Sequence, residues 1–119
     1  MHRSGPHDIG WVGTSKEDLI SFPADVRREF GFNLYLMQHH EDPRCEFRSL
    51  RDIKPGLWEL KEQDQDGWYR LVYLAAIDGV IWVLHCFQKK SREMSKPDRE
   101  LIIKRYKALR DELAEEKRR

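Results

Sequence analysis

The sequence predicts a small α+β domain: an antiparallel β-sheet meander with two N-terminal helices packed on it and a C-terminal helix. Three observations carry this. Apolar residues recur at helical spacing up to about residue 40 and then alternate from Leu57 onward. Two Asp-Gly dipeptides, Asp66-Gly67 and Asp78-Gly79, punctuate the alternating stretch as hairpin turns. Helical spacing returns after Pro97-Asp98. At 119 residues the chain is sized for one domain. The expected organisation is a flexible arm over 1–8 and a single domain over 9–119.

In chain order, Asp8–Val12 is a short apolar strand candidate. Thr14 or Ser15 can cap a helix whose first turn carries Glu17 and Asp18, where acids favour the helix dipole. Pro23 ends that helix and opens the next at its first helical position. Val26, Phe30, Leu34 and Met37 share one face of the second helix, with Leu36 beside them. Gly31 weakens it slightly, and Asp42-Pro43 closes it. An early strand is expected over 47–53. Three more follow at Leu57–Gln63, Trp68–Ile77 and Val80–Gln88, rich in aromatic and aliphatic residues. The last helix presents Ile102, Tyr106, Leu109 and Leu113 on one face.

Composition excludes several classes. Charged residues make up 36% and hydrophobic residues 39% of the chain, and no apolar run is long enough to span a membrane. The first residues lack the apolar stretch of a secretion signal, and two cysteines, Cys45 and Cys86, make no disulfide framework. Free thiols in a reducing, cytoplasmic setting are expected. The net charge of +1 argues against strong binding to polyanions by charge alone. Its distribution is uneven, with −4 over residues 1–87 and +5 over 88–119. That asymmetry hints at an anionic partner, although a solvated, salt-bridged helix accounts for it equally well.

Hairpin arithmetic gives a sharper expectation. With a two-residue loop at Asp78-Gly79, Ile77 faces Val80, Val72 faces His85 and Arg70 faces Phe87. With an even loop around Gln65-Asp66, Gln63 faces Trp68, Lys61 faces Arg70 and Glu59 faces Val72. Facing residues share a side of the sheet. One side then collects Glu59, Lys61, Arg70, His85, Phe87 and Lys89. The other collects Trp58, Leu60, Tyr69, Leu71, Tyr73, Trp82, Leu84 and Cys86, which reads as core. Lys61, Arg70 and Lys89 converge in this register. Gathered like charges oppose stability but suit a phosphodiester, since Arg takes phosphate bidentately and Lys serves as a point charge. Pairing with Glu59, Glu62 and Asp66 is the structural alternative.

Particular segments carry a family likeness: Ile9-Gly10-Trp11-Val12-Gly13, Phe22 through Gly31, Gly56-Leu57-Trp58-Glu59-Leu60, Tyr69-Arg70-Leu71-Val72-Tyr73, and Val83 through Ser91. Over roughly residues 9–110 the chain resembles the phage-derived HigB-like branch of the RelE/ParE toxin superfamily. The resemblance implies a RelE-like fold and the toxin of a type II toxin–antitoxin pair. It implies an mRNA endoribonuclease, ribosome-dependent and without metal or other cofactor. The implied partner is a helix-turn-helix antitoxin, through which alone operator DNA is contacted. Carried over by position, the arginine of the YRxVY segment is Arg70 and the lysines of the FxKK segment are Lys89 and Lys90. The basic residue after GLWEL is Lys61, where arginine is more usual. The superfamily also includes gyrase-directed toxins, and an inactive antitoxin-binding module is a third class of function on this fold.

Metal-free RNA cleavage uses the neighbouring 2′-hydroxyl as nucleophile. It needs a base, charge stabilisation at phosphorus and an acid for the leaving oxygen. Arg70 suits the phosphate. Lys89 or Lys90 suits support of Arg70 or the acid role, with the period of two favouring Lys89. His85 and Glu59 are both candidates for the base, each with a structural alternative, and the choice stays open. Phe87 is a candidate for base stacking or for simple packing. The His39-His40 and Cys45 grouping fits no zinc spacing.

Overall fold

The computed structural model describes residues 5–91 and 93–119. Of the arm expected over 1–8, residues 1–4 lie outside the described residues. Beyond them, the His7 amide donates to the Gln38 carbonyl (2.8 Å) and Asp8 already belongs to a strand. The elements are β1 (Asp8–Trp11), α1 (Ser15–Ile20), α2 (Ala24–Gln38), β2 (Glu46–Ser49), β3 (Leu57–Asp64), β4 (Gly67–Ile77), β5 (Val80–Lys89) and α3 (Lys96–Lys117).

Strands β2 to β5 form the expected antiparallel meander. The sheet has five strands in the order β1-β5-β4-β3-β2, because β1 adds parallel to β5. Gly10 allows that approach: a Cβ there would run into the Trp82 ring across the strand pair. Strand ends differ from expectation by a residue in several places, and two boundaries differ for a visible reason. Pro23 is extended (φ −52°, ψ 146°) and forms the N-cap, so α2 begins one residue later than its predicted start. The strand expected over 47–53 ends at Ser49, because Leu50 starts a turn in which its carbonyl accepts from the amides of Ile53 and Lys54.

The hairpins follow the predicted register. Asp78 (φ 52°) and Gly79 (φ 81°) make the tight β4–β5 turn, with Ile77 opposite Val80. Gln65 and Asp66 form the other loop, leaving Gly67 (φ 142°) as the first residue of β4. Between the hairpin ends, however, two irregularities cancel. An additional residue on β5 follows the Val72–His85 pair, so Tyr73 meets Val83 and Leu74 meets Trp82. An additional residue on β4 restores the count by Ile77–Val80.

These bulges correct the predicted core face. Leu84 and Trp82 leave the side shared by Leu60, Tyr69, Leu71, Tyr73 and Cys86, and Ile81 and Val83 take their places. The first side packs under α1 and α2 through Leu19, Val26, Phe30 and Leu34. The second packs Leu57, Val72, Leu74, Leu84 and Phe87 under Ile102, Tyr106 and Leu109 of α3. Helices therefore cover both sides of the sheet, and only part of the cation-bearing side stays open. Side chains from both helical layers reach the backbone at the bulge, where the Val83 carbonyl also accepts the Val12 amide (2.9 Å). Arg105 donates to the Leu84 carbonyl (2.7 Å), and the Ser15 hydroxyl donates to the Val83 carbonyl (3.0 Å).

Ile102 is fully buried between α3 and the sheet. Ile102→Ala is expected to cost about 2–5 kcal/mol of stability. Half-buried Leu113, near the helix end, should cost less on the same change. Urea unfolding with an unchanged m-value checks both.

Candidate functional site

The open part of the second side is the end of the sheet where β2, β3, β4 and β5 run together. Lys61 lies opposite Arg70 across β3–β4, Trp68 opposite Lys89 across β4–β5, and Glu46 and Arg48 opposite Lys61 and Glu59 across β2–β3. Period two turns these side chains to one side. They surround a groove of ≈ 570 Å³ to which Lys90 and Ser91 add an edge beyond β5.

Beneath the groove lies Glu59, a carboxylate closed to solvent (0% exposed). Its Oε1 is 3.2 Å from Arg48 Nε and 3.3 Å from Arg70 Nε, while Oε2 has no hydrogen-bond partner. Arg70 is itself buried. Burial pulls its guanidinium down from its ordinary value, with Glu59 opposing, and its Nη1 makes no hydrogen bond. Lys61 pairs with Glu46 (3.2 Å) at the rim. Lys89 is buried and has no ion-pair partner among the described residues. Burial lowers its pKa, and the Arg70 charge lowers it further.

Of the candidate residues, Lys61, Arg70, Lys89 and Lys90 line the groove together. Glu59 lies under it as an anchor for two arginines. His85 points elsewhere: its Nε2 is 2.7 Å from Asp98 Oδ1 at the start of α3, and its ring stacks on Phe87 at 4.6 Å. Asp98 is bound in turn by the Ser95 hydroxyl (2.7 Å), and its amide donates back to Ser95 Oγ (3.2 Å), so His85 fastens the helix cap. Phe87 is 8% exposed and packs under α3, which removes it from stacking on a ligand.

Three groove residues escaped the sequence reading. Arg48 and Glu46 sit on the edge strand, whose register only the structure supplies. Glu46 is the one carboxylate among the lining residues. Trp68 is the exposed member of the four tryptophans (42%), and the Arg70 guanidinium lies 5.7 Å from its ring centre. Its place beside the even loop was a usable signal. Among the described residues, no group of three or more His, Cys, Asp or Glu side chains is gathered as a metal ion would require. No helix among them is long and apolar enough to cross a membrane.

Comparison with known proteins gives a consistent picture. The family model described as phage-derived protein Gp49-like matches residues 17–107. Among solved structures, a double arginine-to-alanine mutant of the Escherichia coli toxin RelE in the free state superposes with a TM-score of 0.59 at 20% identity, covering 87% of this chain and 97% of that one. A chain of the toxin–antitoxin complex RelBE2 from Mycobacterium tuberculosis gives 0.51 at 17% identity, covering 76% and 100%. At such identities the likeness establishes the fold. No curated protein sequence shows a significant match.

The charge around Lys89 has a measurable consequence. Arg48 lowers the Lys89 pKa and Glu59 raises it. Arg48→Gln removes the first and leaves Glu59 less compensated, so both changes move Lys89 upward. Side-chain NMR of labelled lysine should show one resonance titrating below the ordinary lysine range in the native protein and higher in the variant. Because the folded state holds the Lys89 proton less tightly than the unfolded chain, the Lys89 contribution to stability should improve as pH rises through its lowered pKa.

Proposed function

The chain belongs to the phage-derived Gp49-like family and has the fold of RelE, and on that premise we propose that it is the toxin of a type II toxin–antitoxin module that cleaves mRNA without a metal ion. The observation that carries this reading is the gathering of Arg48, Lys61, Arg70, Lys89 and Lys90 around one groove with an exposed tryptophan. Glu46 and Glu59 offset only part of that charge, and a phosphodiester backbone beside an aromatic surface fits both the remaining positive charge and the tryptophan.

Arg70 holds the non-bridging oxygens of the scissile phosphate, fixed from behind by Glu59. Lys61 and Lys90 flank it. The 2′-hydroxyl gives its proton to Glu46, the carboxylate that reaches the groove, and its oxygen attacks phosphorus. The bond from phosphorus to the 5′-oxygen breaks, and Lys89, readied for proton release by its lowered pKa, protonates that oxygen. The products are a 2′,3′-cyclic phosphate and a 5′-hydroxyl. The substrate is mRNA on the ribosome, in the cytoplasm. The restraining partner is a helix-turn-helix antitoxin, through which operator DNA is contacted. The likeness to a chain of RelBE2, a toxin–antitoxin complex, supports an antitoxin as the partner.

The purified chain should cut mRNA in one of two arms: free RNA in the presence of EDTA, or mRNA on ribosomes in the Mg²⁺ that the ribosome itself requires. Intact RNA in both arms ends the nuclease reading. Arg70→Ala should reduce kcat by about 10²–10³. Glu46→Gln should reduce it by roughly 10²–10⁴, read as a loss in kcat with little change in KM.

A further inference from the structure

We infer that Trp68 is a nucleobase-stacking platform that makes binding depend on the base next to the phosphate held by Arg70. The inference rests on the groove being a nucleic-acid site and adds where a base is recognised. Trp68 stands at the start of β4, opposite Gln63 on one side and Lys89 on the other. An indole left 42% exposed on a small domain, while the other three tryptophans are at least partly buried, has a surface free for a planar ligand. The Arg70 guanidinium is positioned over the ring at 5.7 Å, so one group that binds phosphate also fixes the ring plane.

The unequal charge of the two clefts that meet at Trp68 orients a nucleotide. On the Arg70 side lies the cationic groove. Trp68 also borders a second cleft, of ≈ 410 Å³, lined in part by Glu29, Glu62 and Gln63 and sharing Glu46 and Lys61 with the groove. Its one arginine, Arg44, lies over the Phe32 ring at 5.7 Å. Burial and the Glu29 charge raise the Glu62 pKa, a sign of negative charge crowding there. The first cleft sets five cations against one carboxylate and the second sets two against three, so a phosphate is drawn to the first. The attached base is left at the ring between them. Stacking on an indole tolerates any base, because every base has a π-face, so the site requires an unpaired base more than a particular one.

The experiment uses an eight-nucleotide RNA, 2′-O-methylated throughout so that it is not cut, together with single abasic replacements along it. For the native protein, one position should weaken binding by about tenfold or more when its base is removed. In Trp68→Leu that penalty should shrink to within about twofold, while Trp68→Phe, which keeps an aromatic face, should retain most of it. Equal abasic penalties in native protein and Trp68→Leu, or no binding of the native protein to the intact oligonucleotide, overturn the platform. Cleavage of mRNA with no Trp68-dependent base penalty removes the platform and spares the nuclease reading. A Trp68-dependent penalty without cleavage does the reverse.

Discussion

A carboxylate sealed from water determines how this protein arranges its charge. Glu59 lies at the floor of the sheet with none of its surface exposed, and an isolated charge there would be strongly unfavourable. Arg48 and Arg70 approach the same oxygen from neighbouring strands at 3.2 and 3.3 Å. The arrangement couples three strands at one point. It also draws Arg70 inward, so that its guanidinium is held by position and not by surface attraction. Losing Glu59 would leave a buried guanidinium uncompensated, which is costlier than losing an exposed pair. The three groups act as a unit, and the floor of the groove is only as rigid as that unit.

The same side of the sheet has to be apolar at one end and charged at the other. Leu57, Val72 and Leu74 lie under α3, whereas Glu59, Lys61 and Arg70 lie a few residues away on the same strands. Strand alternation alone cannot make this division, since it treats the whole length alike. The division is made by where α3 starts. Its cap, formed by Ser95 and Asp98 and fastened to His85, stops the helix short of the groove. Arg105 ties the body of α3 to the bulged backbone at Leu84 and also reaches the Thr14 hydroxyl (3.2 Å), joining both helical layers through one side chain.

Much of the meander was legible because tight hairpins leave little freedom. Once Asp78-Gly79 and the Gln65-Asp66 loop are each two residues long, Lys61, Arg70 and Lys89 fall on one side by counting. The paired bulges were not legible. They cancel outside the stretch between the Val72–His85 and Ile77–Val80 pairs, so every partner predicted beyond them is correct while Trp82 and Leu84 change sides between them. Glu46 and Arg48 stayed hidden because the turn from Leu50 to Gly56 sets the register of β2 without a dipeptide signature. His85 was ambiguous because its partner, Asp98, is on another element. The parallel pairing of β1 with β5 joins the two most distant strands in sequence, where local pattern says nothing.

A net charge of +1 is a poor measure of what this surface presents. The groove gathers five cations against one rim carboxylate, and the matching negative charge is placed below it at Glu59 or beyond Trp68 at Glu29 and Glu62. A concave, partly dehydrated cluster focuses its field into the cleft, while opposite charge elsewhere cancels it at a distance. Such a surface discriminates by shape as well as sign. An anion thin enough to enter meets the full local potential, and a broad polyanion laid across the molecule meets nearly none. Burial first and the neighbouring cations second depress the pKa of Lys89, and that makes the same lysine a better proton donor. Crowded cations unfavourable to folding and a lysine that gives up its proton more readily are thus two consequences of one arrangement.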